Sequence, residues 1–267
     1  MCITMEQTHY KSNAELKYLA RTQMGGRFGL LIGTMLIPLL ISFFCSSFLL
    51  SNNYLVNFVI SIILQTLLSV LQVGATLIYM KSACNMPAQI GDLFDGFRNN
   101  LQVALKVGLL FTFINTVCMI PCDVMSIRIL NSPALAVPEI TETTTLNEMM
   151  QFYNVFYSVM GAYYLLMLAC VLVSFLLQLV FVPAYYIILD FPEWDAMKVL
   201  KKSIEVMRGN KLRYVLLQIS FLPALLLSVF TCGLTLIWVM PYMHMTNTNF
   251  YLDIMAVKNK NMNNSSY

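Results

Sequence analysis

The chain has 267 residues, a mean hydropathy of +0.70, 58% hydrophobic residues and only 11% charged residues. A soluble domain usually carries about 25% charged residues, so this composition excludes an ordinary water-soluble fold and predicts an integral membrane protein. The net charge of +3 is small, and we expect no nucleic-acid partner.

The N-terminal residues are polar and basic, and the first long apolar run begins directly after them. Because that run is long enough to cross a bilayer, it is predicted to stay as an anchor rather than to be a cleavable signal peptide. With the later apolar runs, the sequence predicts an all-α protein with six transmembrane helices of roughly 20 residues each. They lie at about 28–50, 54–80, 103–120, within 152–189, at about 212–229, and from about 233 past residues 241–242.

Four predicted spans contain a proline, which removes a backbone hydrogen bond and tends to kink a helix. Kinked membrane helices often border a cavity or move, but they are equally common as static packing devices, so both interpretations remain open. The candidate kinks are Pro38, Pro183, Pro223 and Pro241.

The charge distribution predicts the orientation. All Lys and Arg residues except Arg128 lie near the termini or in the loops after the predicted second and fourth spans. Because short loops rich in Lys and Arg stay in the cytoplasm, both termini are predicted to be cytoplasmic. The sizeable outer loop is then about 121–151, and its acidic residues are Asp123, Glu139, Glu142 and Glu148.

A short amphipathic segment precedes each pair of spans, which predicts three units, each an interfacial helix on the cytoplasmic side followed by a transmembrane hairpin. The first begins at a predicted capping box, Ser12-x-x-Glu15. Each segment ends near a glycine followed by a base, where the chain turns into the bilayer: Gly26, Gly96 and Gly209. The predicted apolar stripes are Leu16, Leu19, Ala20 and Met24; Ile90, Leu93, Phe94 and Phe97; and Trp194, Met197, Leu200, Ile204 and Met207.

These three units are predicted to form a single integral membrane domain, residues 1–267, with polar tails at 1–12 and 255–267. The third amphipathic segment is the most basic, and two interpretations of it remain open. Its bases contact anionic headgroups at the inner surface, or the helix docks a partner. The candidate contact residues are Trp194, Lys198, Lys201, Lys202 and Arg208.

The sequence gives little indication of catalysis or metal binding. No second His or acid is spaced beside His244, so a hydrogen-bonding role is favoured over a metal or proton site. The polar residues within the spans are amides, and Asp190 at an inner span end is interpreted as an interfacial cap. We therefore expect no enzymatic activity, no cofactor and no metal. A disulfide between Cys118 and Cys122 is left open, although their spacing favours misaligned sulfurs.

The C-terminal third carries the most specific pattern. The stretch 193–227 (EWDAMKVLKK…) is followed by Pro241-Tyr242 and Phe250-Tyr251, and Gly96-Phe97 stands in the loop after the second span. With Glu15-Leu16-Lys17 near the N-terminus, this pattern resembles the domain-of-unknown-function 975 family of bacterial integral membrane proteins over nearly the whole chain. The plan is also similar to the membrane domain attached to some glycerophosphodiester phosphodiesterases, without their catalytic domain. The resemblance implies a membrane location and no established reaction.

Two functions remain open. In the first, the protein is a non-enzymatic accessory or scaffold component of a bacterial transport or export system, with another membrane protein or transporter subunit as its partner. In the second, it carries or binds a lipid or a hydrophobic peptide by itself. Both place it in a bacterial cell (plasma) membrane in contact with membrane lipids, and both leave its oligomeric state open.

Overall fold

The computed structural model describes residues 9–47, 54–132 and 146–264. These residues form eleven α-helices with no strand among them, which confirms the predicted all-α class. Short 3-10 segments precede α4 (Ile90–Phe94) and follow α6 (Leu179–Phe181). The helices are α1 (Asn13–Met24), α2 (Phe28–Ser47), α3 (Tyr54–Ala83), α4 (Asp95–Asn99), α5 (Leu101–Leu130), α6 (Leu146–Gln178), α7 (Ala184–Asp190), α8 (Ala196–Met207), α9 (Lys211–Ile219), α10 (Leu222–Phe230) and α11 (Leu236–Asn264).

Five helical stretches in the described residues are long and apolar enough to cross a membrane, which supports an integral membrane protein. They coincide with the first five predicted spans. The sixth predicted span falls on α11, which does not qualify because polar residues such as Thr246, Asn249 and Asp253 interrupt its apolar run. The five stretches are Phe28–Cys45, Val56–Ala83, Leu101–Leu130, Met149–Asp190 and Lys211–Phe230.

Two predicted loop boundaries are wrong. Helix α5 continues through Pro121 to Leu130, and α6 begins at Leu146, so both ends of the loop predicted at about 121–151 are helical. Proline is tolerated inside membrane helices because neighbouring groups satisfy the freed carbonyl, so it did not end α5. Glu139 and Glu142 lie outside the described residues. The predicted polar tail at 255–267 is helical as far as Asn264.

The chain divides into two compact units. Unit 1 comprises Met1–Leu110 and Val180–Tyr267, and unit 2 comprises Phe111–Leu179. In unit 1, α3 packs against α1, α2, α7 and α11. The core where α1, α2, α3 and α11 meet is formed by buried side chains that include Met24, Leu31, Leu71, Ile78, Tyr79 and Met245.

Helix α1 confirms the first predicted amphipathic segment. The Ser12 hydroxyl accepts a hydrogen bond from the Glu15 N–H at 3.3 Å, and the Glu15 carboxylate accepts one from the Ser12 N–H at 2.7 Å, which completes the capping box. Leu16 and Ala20 are fully buried on the inward face. The chain leaves α1 through Gly26, whose positive φ of 74° favours glycine.

The second predicted amphipathic segment packs against α3 through close backbone contacts. A methyl group at Gly74 would lie 1.9 Å from the Leu93 carbonyl oxygen, and one at Gly96 would lie 2.5 Å from the Val70 carbonyl oxygen. Glycine at these two positions therefore allows the two backbones to approach each other closely. The expectation that Gly96 ends a helix is wrong, because Gly96 lies inside α4. Of the predicted stripe only Leu93 is buried, and Ile90, Phe94 and Phe97 are exposed.

The described residues of unit 2 form the part of α5 that follows Leu110 and the whole of α6, and the hydrogen bonds between these two helices are few. The Ser174 hydroxyl donates to the Asn115 amide oxygen at 3.2 Å, and the Gln178 amide donates to Ser174 at 2.7 Å. Large apolar side chains such as Phe113 and Leu165 are exposed along both helices. This distribution is typical of helices that face lipid rather than water.

Candidate functional site

The face of α8 that packs against the rest of unit 1 is not the predicted apolar stripe. Two residues of the predicted stripe, Met197 and Ile204, are 58% and 44% exposed. Pattern counting selected the larger apolar side chains, whereas the helix packs through smaller ones that allow close approach. Met207 is the one member of the predicted stripe that is fully buried. The buried face consists of Ala196, Val199, Ser203, Val206 and Met207.

Three contacts within unit 1 fix this inward face. The Ser203 hydroxyl donates to the Val180 carbonyl oxygen at 3.0 Å. The Lys258 ammonium on α11 donates to the Glu205 carbonyl oxygen, and partial burial lowers the pKa of Lys258. At the other end, Asp195 forms an ion pair with Lys106 at 3.2 Å, and this contact lowers the pKa of Asp195. The partner of Asp195 therefore comes from α5 and not from its own helix.

The outward face of α8 combines bases with apolar side chains. Lys198, Lys201 and Arg208 are exposed beside Met197 and Ile204. The predicted contact residues Trp194 and Lys202 are only half-buried, and both have intramolecular partners. The Trp194 ring stacks on Phe191 with centroids 4.2 Å apart. The Lys202 ammonium pairs with Glu205 at 2.8 Å. The accessible part of the predicted surface is therefore Lys198, Lys201 and Arg208.

A buried ion pair that sequence reasoning missed lies between α9 and α11. The Asp253 carboxylate, whose side chain is 1% exposed, pairs with the Arg213 guanidinium. The same carboxylate accepts from the Lys11 backbone N–H at 3.2 Å, and Arg213 donates to the Lys11 carbonyl oxygen at 2.7 Å. The rings of Tyr10 and Phe250 lie 4.8 and 4.9 Å from the guanidinium carbon. The pair therefore fastens the N-terminal segment to α9 and α11.

Further polar pairs follow α11 away from Asp253. Tyr251 donates to the Asp190 carboxylate at 2.5 Å. The Asn249 amide donates to Gln23 at 2.8 Å, and the Gln218 amide donates to Asn247 at 2.7 Å. Four polar side chains of this helix are almost completely buried: Thr246, Thr248, Asn249 and Asp253. The signal that sequence reasoning passed over was this run of polar residues at 246–249 after an apolar start.

His244 is half-buried and stacks on the Tyr79 ring, with centroids 5.3 Å apart and an interplanar angle of 25°. The hydrogen-bonding role that the sequence favours for His244 stays a prediction. Within the described residues, His, Cys, Asp and Glu side chains form no group of three that would hold a metal ion.

The four candidate kinks fall into two classes. Pro183 directly precedes α7, after the 3-10 segment that follows α6, and Pro223 lies in the first turn of α10, after a break at Ser220 and Phe221. Pro38 and Pro241 lie inside α2 and α11, which are continuous through them. Whether any of these prolines borders a path or moves stays a prediction.

The thiols of Cys118 and Cys122 are free, and both lie on α5. The Cys122 thiol lies close to that of Cys170 on α6. The cysteine closest to Cys122 is therefore on α6. Cys118 lies four residues away on α5 itself, and the stiffness of the helix prevents its sulfur from aligning with that of Cys122.

A groove of about 580 Å³ lies in unit 2 between α5 and α6. Most of its lining is apolar, and its polar side chains, Arg128 and Ser132, lie four residues apart where α5 ends. Arg128 makes no hydrogen bond or ion pair with any residue that the structure describes. The side chains that line the groove are Pro121, Val124, Met125, Arg128, Ile129, Ser132, Val159 and Leu166.

The apolar helices and the internally satisfied polar residues define a helical membrane protein. The chain belongs to the family described as Protein of unknown function (DUF975), whose model matches residues 5–258. This match confirms the family resemblance seen in the sequence. No curated protein and no solved structure matches the chain.

Proposed function

We propose that this protein is a non-enzymatic accessory or scaffold component of a bacterial membrane transport or export system, and that α8 is the surface that meets its partner. The observation that carries the proposal is the outward face of α8. There Met197 and Ile204 are exposed beside three bases, on a helix whose other face is fixed to the protein. Met and Arg are enriched at protein interfaces, and an exposed stripe of this kind is typical of a surface that another molecule covers.

The buried polar groups of unit 1 support a structural role. Asp253, Arg213, Tyr251 and Asp190 have side-chain partners inside the chain. A general acid or base needs access to its substrate, whereas these carboxylates bind other parts of the same fold. The network is thus suited to holding helices in place.

The proposed topology of the protein has six spans in three hairpins. Each hairpin is preceded by an interfacial helix, and both termini lie in the cytoplasm of a bacterial cell. Contacts across α9, α10 and α11 support the third hairpin: Arg213 meets Asp253, Gln218 meets Asn247, and the Phe221 ring meets Tyr242 at 5.3 Å. From Arg213 to Phe221 the residue numbers rise, whereas the numbers of their partners fall from Asp253 to Tyr242, as expected for two antiparallel helices. Because the polar groups of α11 have partners inside the bundle, this helix tolerates burial in a membrane despite its polarity.

Cys232 tests this topology, because it is an exposed free thiol in the turn between α10 and α11. We expect a membrane-impermeant maleimide added to intact cells to label a variant that retains Cys232 as its sole cysteine. The matched control is that variant with Cys232→Ser. Labelling that requires lysed cells would contradict the proposed orientation.

The partner is tested by crosslinking mass spectrometry on the protein in its native membrane. We expect a stoichiometric protein partner crosslinked through Lys198 or Lys201. We expect the triple variant Lys198→Gln, Lys201→Gln, Arg208→Gln to lose that partner when the protein is purified from its native membrane, a measurement that does not need the lysine amines. The control triple variant Arg21→Gln, Arg98→Gln, Lys211→Gln removes the same charge from other exposed positions. Full coverage of both lysines with no partner, or equal loss in both variants, would contradict docking at α8 and leave headgroup contact as its role.

A second candidate function is a self-contained carrier or binder of a lipid or hydrophobic peptide. The groove in unit 2 and the helix breaks at Pro183 and Pro223 favour it. A transport assay in vesicles with Pro183→Ala and Pro223→Ala separates the two functions. Reduced transport at normal expression would support the carrier, and unchanged transport would count against a role for the breaks.

A further inference from the structure

We propose that the groove in unit 2 binds one anionic phospholipid, with the acyl chain along the apolar length and the headgroup phosphate on Arg128 and Ser132. This deepens the second candidate function by naming a site and a ligand class. It is independent of docking at α8, because all the lining residues belong to unit 2.

The size of the groove fits a lipid chain. At about 580 Å³ it falls within the range of ~300–1,000 Å³ that small-molecule sites occupy. Pro121 and Arg128 are seven residues apart on α5, which places them about 10 Å apart along the helix axis. Val159 and Leu166 have the same spacing on α6, so apolar side chains line both walls over this length.

The distribution of polar groups selects a lipid over a peptide. An extended peptide in the groove would bring backbone N–H and C=O groups against Val124, Ile129 and Leu166, where no partner is available and each unsatisfied group is costly. An acyl chain has no such groups. The polar side chains at one end, Arg128 and Ser132, match a molecule that is polar at one end only.

The positive charge of Arg128 favours an anionic headgroup. The Arg128 guanidinium is exposed, and no residue in the described part of the chain neutralises it. Arginine binds phosphate through two parallel, charge-assisted hydrogen bonds, and the Ser132 hydroxyl adds a third donor. A zwitterionic headgroup places a second cation beside the phosphate, which weakens the attraction to Arg128.

Native mass spectrometry of the purified full-length protein tests the site, with phosphatidylglycerol and phosphatidylcholine supplied in equal amounts. We expect the wild-type protein to retain phosphatidylglycerol preferentially. Arg128→Gln should lower that retention about tenfold, because it removes charge-assisted hydrogen bonds. Arg128→Lys should lower it less, since it keeps the charge but loses the bidentate geometry.

Two tryptophan variants test the groove itself. Val159→Trp fills the groove and should reduce retention of both lipids, whereas Val117→Trp changes an exposed α5 residue outside the lining and should reduce neither. Arg98→Gln is the matched charge control. Retention that Arg128→Gln leaves unchanged, or that Val117→Trp reduces as much as Val159→Trp, would overturn the proposal. Displacement of the lipid by soluble glycerol phosphate would also overturn it, since the acyl chain would then contribute nothing.

Binding and transport are read separately. Lipid retention that depends on Arg128, together with no transport in vesicles, would support the site while excluding the carrier function. Transport without Arg128-dependent retention would support a carrier and contradict this site.

Discussion

Units 1 and 2 show two ways in which one chain stabilises helices made mostly of apolar residues. Unit 1 is held by polar pairs and close backbone contacts: the Arg213–Asp253 ion pair, the Asn249–Gln23 hydrogen bond, and Gly74 against the Leu93 backbone. Unit 2 has two long helices. The side chains of Asn115, Ser174 and Gln178 form two hydrogen bonds there, and a groove between the helices is lined mostly by apolar side chains. Apolar helices in lipid gain little from the hydrophobic effect when they associate, so polar bonds and tight packing decide which helices stay together.

This difference indicates where stability and adaptability lie. A substitution that removes one partner of a polar pair in unit 1 leaves a buried group unsatisfied. A substitution of similar chemistry in unit 2 alters a surface that lipid covers. Pairs of substitutions, one in each unit, therefore compare directly how much each unit loses in free energy of unfolding.

The largest expected effect is that of Asp253→Ala. It leaves the Arg213 guanidinium without its carboxylate and removes the acceptor of the Lys11 N–H bond, and we expect the free energy of unfolding to fall by about 3 kcal/mol. The measurement is SDS-induced unfolding in mixed micelles, followed by tryptophan fluorescence. Trp194 and Trp238 report on unit 1, and substitutions in unit 2 are read in a parent protein that carries Phe113→Trp as a reporter in unit 2.

The matched control for this substitution is Asp123→Ala, at an exposed carboxylate in unit 2. We expect it to change stability by less than about 0.5 kcal/mol. Equal effects of the two substitutions would show that the Arg213–Asp253 pair does not distinguish unit 1 from unit 2.

Gly74→Ala is expected to have the next largest effect. Its methyl group would lie 1.9 Å from the Leu93 carbonyl oxygen, so the backbone between α3 and α5 must shift, at a cost of about 2–3 kcal/mol. Gly161→Ala on α6 is the control, because nothing lies within 4 Å of the added methyl group. Alanine is the better helix former, so Gly161→Ala should raise stability by about 0.5–1 kcal/mol. The same sign for both substitutions would contradict the close contact at Gly74.

The sequence predicted the elements that depend on local patterns. The apolar runs located five stretches that qualify as spans, and the Ser12-x-x-Glu15 capping box of α1 is confirmed. Gly26 was recognised because a base and an apolar run follow it. These features depend on residues close together in the chain, and composition or spacing reveals them.

The features that the sequence did not predict depend on distant partners. Asp253 is 40 residues from Arg213, and Lys11 is farther still, so no spacing rule connects them. The sequence did not predict the inward face of α8, where Ala196 and Ser203 pack against the rest of unit 1, because pattern counting favours Met197 and Ile204. The exposed bases Lys198, Lys201 and Arg208 were anticipated as a surface, but the involvement of Met197 and Ile204 in it required the structure.

A smaller effect is expected for the Gln23–Asn249 hydrogen bond. We expect a double-mutant cycle with Gln23→Ala and Asn249→Ala to give a coupling energy of about 1 kcal/mol, typical of a net intramolecular hydrogen bond. The cycle is read from the same SDS titration. Additive single substitutions would mean that α1 and α11 are held by packing alone.

The smallest effect belongs to the corresponding bond in unit 2. Ser174 donates to Asn115 at 3.2 Å while accepting from Gln178 at 2.7 Å, so loss of Asn115 leaves Ser174 with one partner. A cycle with Asn115→Ala and Ser174→Ala should give a coupling energy of about 0.6 kcal/mol, the average for hydrogen bonds between membrane helices. Because both reporter tryptophans lie in unit 1, this cycle needs a tryptophan introduced at the exposed position Phe113, in both the parent and the variants. A coupling larger than that of Gln23 and Asn249 would reverse the contrast between the units and place the stronger polar link beside the groove.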